Sequence, residues 1–127
     1  MAEVTLPFNG SVSAGSQLTL VSKRLNFPFT VKKLIASFAL GTDRTLEISY
    51  FLSRDNSAPT TTKPSGLNLL SLYGEDTFLT GDDDKKEFPH SVDMPESGSY
   101  IKVHANNTDT FTHTIDAQVI IEPNHAS

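Results

Sequence analysis

Apolar and polar residues alternate with a period of two along much of the chain. Leu46, Ile48, Tyr50 and Leu52 interleave with Thr45, Glu47, Ser49 and Phe51, so a strand here turns four apolar side chains to one face. Leu34, Ala36, Phe38 and Leu40 repeat the pattern, and Gly41-Thr42-Asp43-Arg44 between the two runs reads as a short hairpin loop. Phe29 and Val31 stand in the opposite phase to Leu34, which predicts a bulge or kink near Lys32-Lys33. Further strands are expected over Val4–Phe8, Gln17–Lys23, Thr77–Thr80, Tyr100–Ala105 and Thr112–Glu122. In the last of these, Thr112, Thr114, Asp116 and Gln118 form a wet face opposite His113, Ile115, Ala117 and Val119. Asn68–Tyr73 reads equally as a short strand or a turn of helix.

No window carries an apolar stripe at helical spacing, and Gly, Pro, Asn and Asp punctuate the chain at short intervals. The pattern predicts an all-β, antiparallel β-sandwich: one domain over residues 1–127, with about eight strands arranged as a jelly roll. An immunoglobulin-like sandwich is the second choice, weakened by the absence of a Cys…Trp…Cys core. Residues 1–10 read either as an N-terminal arm or as the first strand, and 123–127 as a short tail. Arg54–Gly66 (RDNSAPTTTKPSG) and Gly81–Gly98 (GDDDKKEFPHSVDMPESG) read as long connections, the second with a strand around Phe88–Met94.

Composition narrows the functional classes. The 127 residues carry a net charge of −5, which opposes a large nucleic-acid footprint. Lys23, Arg24, Lys32 and Lys33, interleaved with Phe27 and Phe29, are the only local basic patch, and Phe27-Pro28-Phe29 reads better as packing than as base stacking. There is no cysteine, so disulfides, thiolate metal sites and Cys nucleophiles are excluded. No apolar run is long enough to span a bilayer as a helix, and MAEVTLPFNG has no signal-peptide pattern, so a product made and used without Sec export is expected.

Candidate chemistry is sparse. No G-x-S-x-G nucleophile motif occurs. His104 and His113 flank the turn Asn106–Thr110, and across a hairpin they would form half of a metal site with Asp109 or Asp116; the alternative is two strand residues bonded to neighbours. In the run TGDDDKKEF, Asp82, Asp84 and Glu87 are candidate calcium ligands. The aspartates are adjacent rather than alternating, however, and Lys85 and Lys86 stand beside them, so a hydrated loop is the expectation. Without Trp the usual sugar-stacking platform is absent, and Tyr50, Tyr73 and Tyr100 are weaker replacements. No enzyme, metal or cofactor is expected.

The segments NFPFTVKKL, ASFALGTDRTLEISYFLS, SAPTTTKPSGLNLL, TFLTGDD and SYIKVHANNTDTFTHTIDAQVIIE together resemble the small β jelly-roll head decoration, or cement, proteins of tailed bacteriophages. The resemblance covers most of the chain and lies in style and strand order rather than in a motif. It implies a non-enzymatic virion protein, made in the host cytoplasm and placed on the capsid exterior, that binds the major capsid protein as a homotrimer. From the charge and the short apolar runs, no contact with nucleic acid or membrane is expected. Val4, Leu6 and Phe8 of an N-terminal arm, together with Lys32 and Lys33, are the candidate partner contacts. The alternative is a tail-fibre or carbohydrate-binding module whose ligand rim is formed by loops 54–66 and 81–98.

Overall fold

The structure, a computed structural model, describes residues 3–39, 41–42, 45–59, 62, 64–70 and 78–123. Among these, eight strands run in chain order: β1 (Val4–Val12), β2 (Gln17–Val21), β3 (Phe29–Phe38), β4 (Leu46–Ser53), β5 (Leu67–Asn68), β6 (Asp84–Met94), β7 (Tyr100–Asn107) and β8 (His113–Pro123). They form two four-stranded sheets, the first in the order β1-β8-β3-β6 and the second in the order β2-β7-β4-β5. Every paired neighbour is antiparallel. The first strand pairs with the eighth, the second with the seventh, the third with the sixth and the fourth with the fifth. This nesting is that of a long hairpin rolled into a sandwich, the jelly roll.

The alternating runs explain the core. Leu34, Ala36 and Phe38 of β3 and Leu46, Ile48, Tyr50 and Leu52 of β4 all point between the sheets and are buried, with Ile101, Val103 and Ala105 of β7 and Ile115, Ala117, Val119 and Ile121 of β8. Burial of this kind contributes about 25 cal/mol per Å² of apolar surface and drives the two sheets together. The Tyr50 hydroxyl donates to the Ile35 carbonyl across the sandwich at 2.5 Å, so a polar atom in the core is satisfied while it ties the sheets together. Burial pushes the Tyr50 phenol far above its ordinary pKa, leaving it neutral and a donor at any physiological pH.

The phase change at Lys32-Lys33 is a register shift. Val31 pairs with Ile121 and Lys33 with Ile120, so Lys32 is the extra residue against β8. Gly41–Arg44 is not a hairpin loop. The runs on either side of it lie in different sheets, and the connection carries the chain from one to the other. Thr42 is buried there and its hydroxyl bonds the Ala39 and Gly81 carbonyls at 2.8 and 2.9 Å. Val4–Val12 is the first strand of the chain's own sandwich, paired with β8, rather than a free arm. Both edges of the first sheet carry a proline within the strand, Pro7 in β1 and Pro89 in β6, a residue that interrupts the row of edge N–H groups. Leu40, residues 124–127 and the second half of the expected 68–73 element, Tyr73 included, lie outside the described residues.

Candidate functional site

The outer face of the second sheet holds the most organised polar cluster. Because Ile101, Val103 and Ala105 of β7 face the core, Lys102, His104 and Asn106 must face outward. Lys102 and His104 are nonetheless 0% and 2% exposed, because the segment after β4 folds back over them. Lys102 Nζ donates to Asp55 Oδ1 at 2.7 Å and to Ser57 Oγ at 3.2 Å. Asp55 also accepts from the Ser57 amide at 3.0 Å and from the Ser57 and Ser65 hydroxyls at 2.6 Å each. These bonds, that from Lys102 foremost, hold the Asp55 carboxyl far below the usual carboxylate range. The loop re-enters at Gly66, whose φ of +122° and approach to the Leu52 carbonyl leave no room for a Cβ.

His104 is fixed on both ring nitrogens. The single hydroxyl proton of Thr19 goes to the Pro59 carbonyl at 2.7 Å, so His104 Nδ1, 3.0 Å away, carries a hydrogen and donates to Thr19 Oγ1. Nε2 lies 2.9 Å from Gln17 Oε1. Next to this imidazole is a cavity of about 350 Å³ whose floor is Gln17, Glu47, Ser49, His104 and Asn106, with Thr62 and Phe78 beside them. Asn106 Nδ2 donates to Glu47 Oε1 at 3.2 Å.

A second concavity, of about 580 Å³, is apolar and lies where β1 begins and β2 ends. Val4, Leu6, Val21, Leu25 and Phe27 line it, and Lys23 and Arg24 form a basic rim. Val4 and Leu6 therefore stand where a partner can reach them. Phe8 does not: it shares their face of β1 but lies further along the strand, where it is 4% exposed and packed in the core. Lys32 sits at the bulge and Lys33 lies 3.9 Å from Glu87. Since β8 separates β1 from β3, the five expected partner residues do not form one patch. Phe27 and Phe29 pack edge to face, centroids 6.2 Å apart, with Phe29 fully buried, so they offer no stacking platform for bases.

The histidines do not meet. His104 lies on the outer face of the second sheet, and His113 opens β8 in the first, where its Nε2 bonds Asp109 Oδ2 at 2.9 Å. No group of three or more His, Asp or Glu residues placed to hold a metal occurs among the described residues. The TGDDDKKEF run is only partly a loop. Asp82 Oδ1 accepts from the Gly41 amide at 2.8 Å, Asp83 takes a φ of +52°, and Asp84 Oδ1 accepts from the Asp82 amide at 3.0 Å. From Asp84 onward the run is edge strand β6, with Lys86 3.2 Å from Asp84 and Lys85 3.9 Å from Glu87. Asp84 and Glu87 thus point to opposite faces of one strand and cannot converge on an ion. The two long segments also fail to form one rim. They touch at Arg54–Glu96, 2.7 Å apart, but one lies over the second sheet and the other is the edge of the first.

Asp109 is the second depressed carboxyl. The bond from His113, and after it the Thr110 amide at 2.7 Å, hold it below the ordinary value. A carboxyl lowered in the folded state adds stability above its unfolded pKa of about 3.9, and that stability is lost as pH falls through the folded value. Asp55 has the same sign. Thermal denaturation from pH 7 to 2 should therefore show Tm falling below about pH 4, with a shallower acid limb in the double variant Asp55→Asn, Asp109→Asn. An unchanged acid limb in that variant would show that neither pair matters to acid stability.

The comparisons with known proteins assign no family. No protein-family model matches the chain, nor does any curated protein. Among solved structures, it is similar to T=1 particles derived from infectious bursal disease virus at 7% identity and a TM-score of 0.48, over 94% of this chain and 31% of that one. It is similar to the VP2 subviral particle of the same virus at 8% identity and a TM-score of 0.45, over 96% and 33%. The Yersinia pseudotuberculosis-derived mitogen is similar at 9% identity and a TM-score of 0.39, over 99% and 91%. The chain spans about a third of the length of the viral chains it matches. Likenesses this loose establish neither ancestry nor activity.

Proposed function

We propose that the protein is a non-enzymatic virion component that decorates the exterior of a phage capsid, binding the major capsid protein as a homotrimer. The observation that carries this reading is the nested jelly-roll strand order, an architecture that recurs in viral capsid domains. The apolar groove at Val4 and Leu6 supports it by offering a contact surface at the margin of the sandwich core, and its Lys23 and Arg24 rim suits an acidic surface on the partner. Closed threefold assembly would use a heterologous interface, which the two differing ends of the sandwich can supply. Nucleic acid and membrane play no part in this reading.

The test combines mass in solution with co-sedimentation on purified capsids. A trimer that sediments with capsids is expected, and Val4→Asp with Lys23→Glu should abolish co-sedimentation while leaving the fold intact. A protein that stays monomeric at high concentration and does not bind capsids would overturn the proposal.

A further inference from the structure

We propose that the cavity on the outer face of the second sheet is a binding site for a neutral saccharide. The inference does not depend on the decoration reading, since it concerns a different face from the apolar groove. Two rungs of the sheet build the floor. Gln17, Asn106 and Glu47 pair across β2, β7 and β4 in one rung, and Thr19, His104 and Ser49 in the next. Adjacent strands are spaced by about 4.8 Å, so polar groups on neighbouring strands can reach hydroxyls on alternate carbons of a sugar ring.

The floor is rigid and carries unused hydrogen-bonding capacity. His104 is held between Thr19 and Gln17, and the loop that covers Lys102 is anchored next to it through Pro59. Ser49 is 2% exposed and lines the cavity, yet no described residue bonds its hydroxyl. Glu47 receives Asn106 on one carboxylate oxygen, which leaves the other to accept from a ligand hydroxyl. Phe78 supplies an apolar wall for the C–H side of a pyranose. The volume lies within the ordinary range for small-ligand sites, roughly 300–1,000 Å³.

Charge selects the class. Among the described residues lining the cavity, the one formal charge of fixed sign is the Glu47 carboxylate, and the ammonium one position along β7 is already paired with Asp55. The Glu47 carboxylate would repel a phosphate or an acidic sugar, whereas a neutral hydroxyl can donate to it.

The experiment titrates ¹⁵N-labelled protein with glucose, galactose and N-acetylglucosamine, and with sialic acid as the acidic counterpart, following amide shifts. Saturable shifts at residues 47–49 and 104–106 with at least one neutral sugar are expected, with a Kd on the order of 1 mM. Glu47→Ala and Asn106→Ala should each weaken that binding about tenfold or more with the spectrum otherwise folded. Ser49→Ala serves as a third, conservative variant that keeps the test intact if either of the others unfolds. Absence of saturable shifts there with every neutral sugar, tighter binding of sialic acid, or binding unchanged in the variants would overturn the proposal.

Discussion

Replacing Asn107 by alanine should destabilise the protein by about 3 kcal/mol or more, a loss reserved for residues that anchor several buried groups at once. Asn107 is fully buried at the end of β7. Its Nδ2 lies 2.7 Å from the Phe111 carbonyl, 3.1 Å from that of Val12 and 3.3 Å from that of Ser13, and its Oδ1 accepts from the Asp109 amide at 3.0 Å. One side chain therefore joins the β1–β2 turn to the β7–β8 turn, both of which carry the chain between sheets. Alanine would strand those backbone groups away from water. Asn107→Asp is a sharper variant, because it aims a carboxylate at carbonyls it cannot serve. Its carboxyl would be raised in the folded state, so the variant should fare best below about pH 3.9 and lose stability as pH rises above it. Urea midpoints at pH 4 and pH 7 measure both effects. An alanine variant within about 1 kcal/mol of the parent would refute the anchoring role.

The second large effect belongs to the loop over the outer face. Asp55→Asn should lower Tm on the order of 10 °C, since it leaves the ammonium of Lys102 covered and without its counter-charge. Lys102→Met should be much milder: the methionine fills the same space without a charge, and Asp55 is more than half exposed and stays hydrated. The double variant should then be no worse than Lys102→Met alone, which makes the cycle strongly non-additive. If Asp55→Asn proves no worse than Lys102→Met, the buried charge is not what holds the loop down.

Strand existence was legible, and strand partnership was not. The alternations at 34–38, 46–52 and 113–121 mark inward faces correctly because period two is a property of the strand itself. Nothing in that period says which sheet a strand joins, so the two runs flanking Gly41–Arg44 look like a hairpin although they belong to opposite layers. The same limit left a meeting of His104 and His113 open, because they are close in sequence across a turn that changes sheets; each is instead bonded to its own neighbours. Phe8 is the converse case: its alternation with Leu6 was visible, and reading the segment as an arm turned a core residue into a contact.

The cavity escaped sequence reading for a different reason. In β7, Lys102, His104 and Asn106 have the spacing of a solvated face, and only a loop about fifty residues earlier makes the first two buried. The usable local signal was Asp55 followed by Ser57, a turn-forming pair with acceptors to spare. The charged run at 82–87 was read as hydrated, which holds for its side chains; its backbone from Asp84 nevertheless belongs to a sheet edge, where lysines and a proline discourage further pairing.

The pairing of Val4 with Ile121 also governs how the chain comes into being. While a ribosome is still making residues 113–123, the first strand has no sheet neighbour to bond, and the facing edges of β1 and β3 stay open. The first sheet can close only after synthesis has passed β8, which makes this a late-closing, long-range topology.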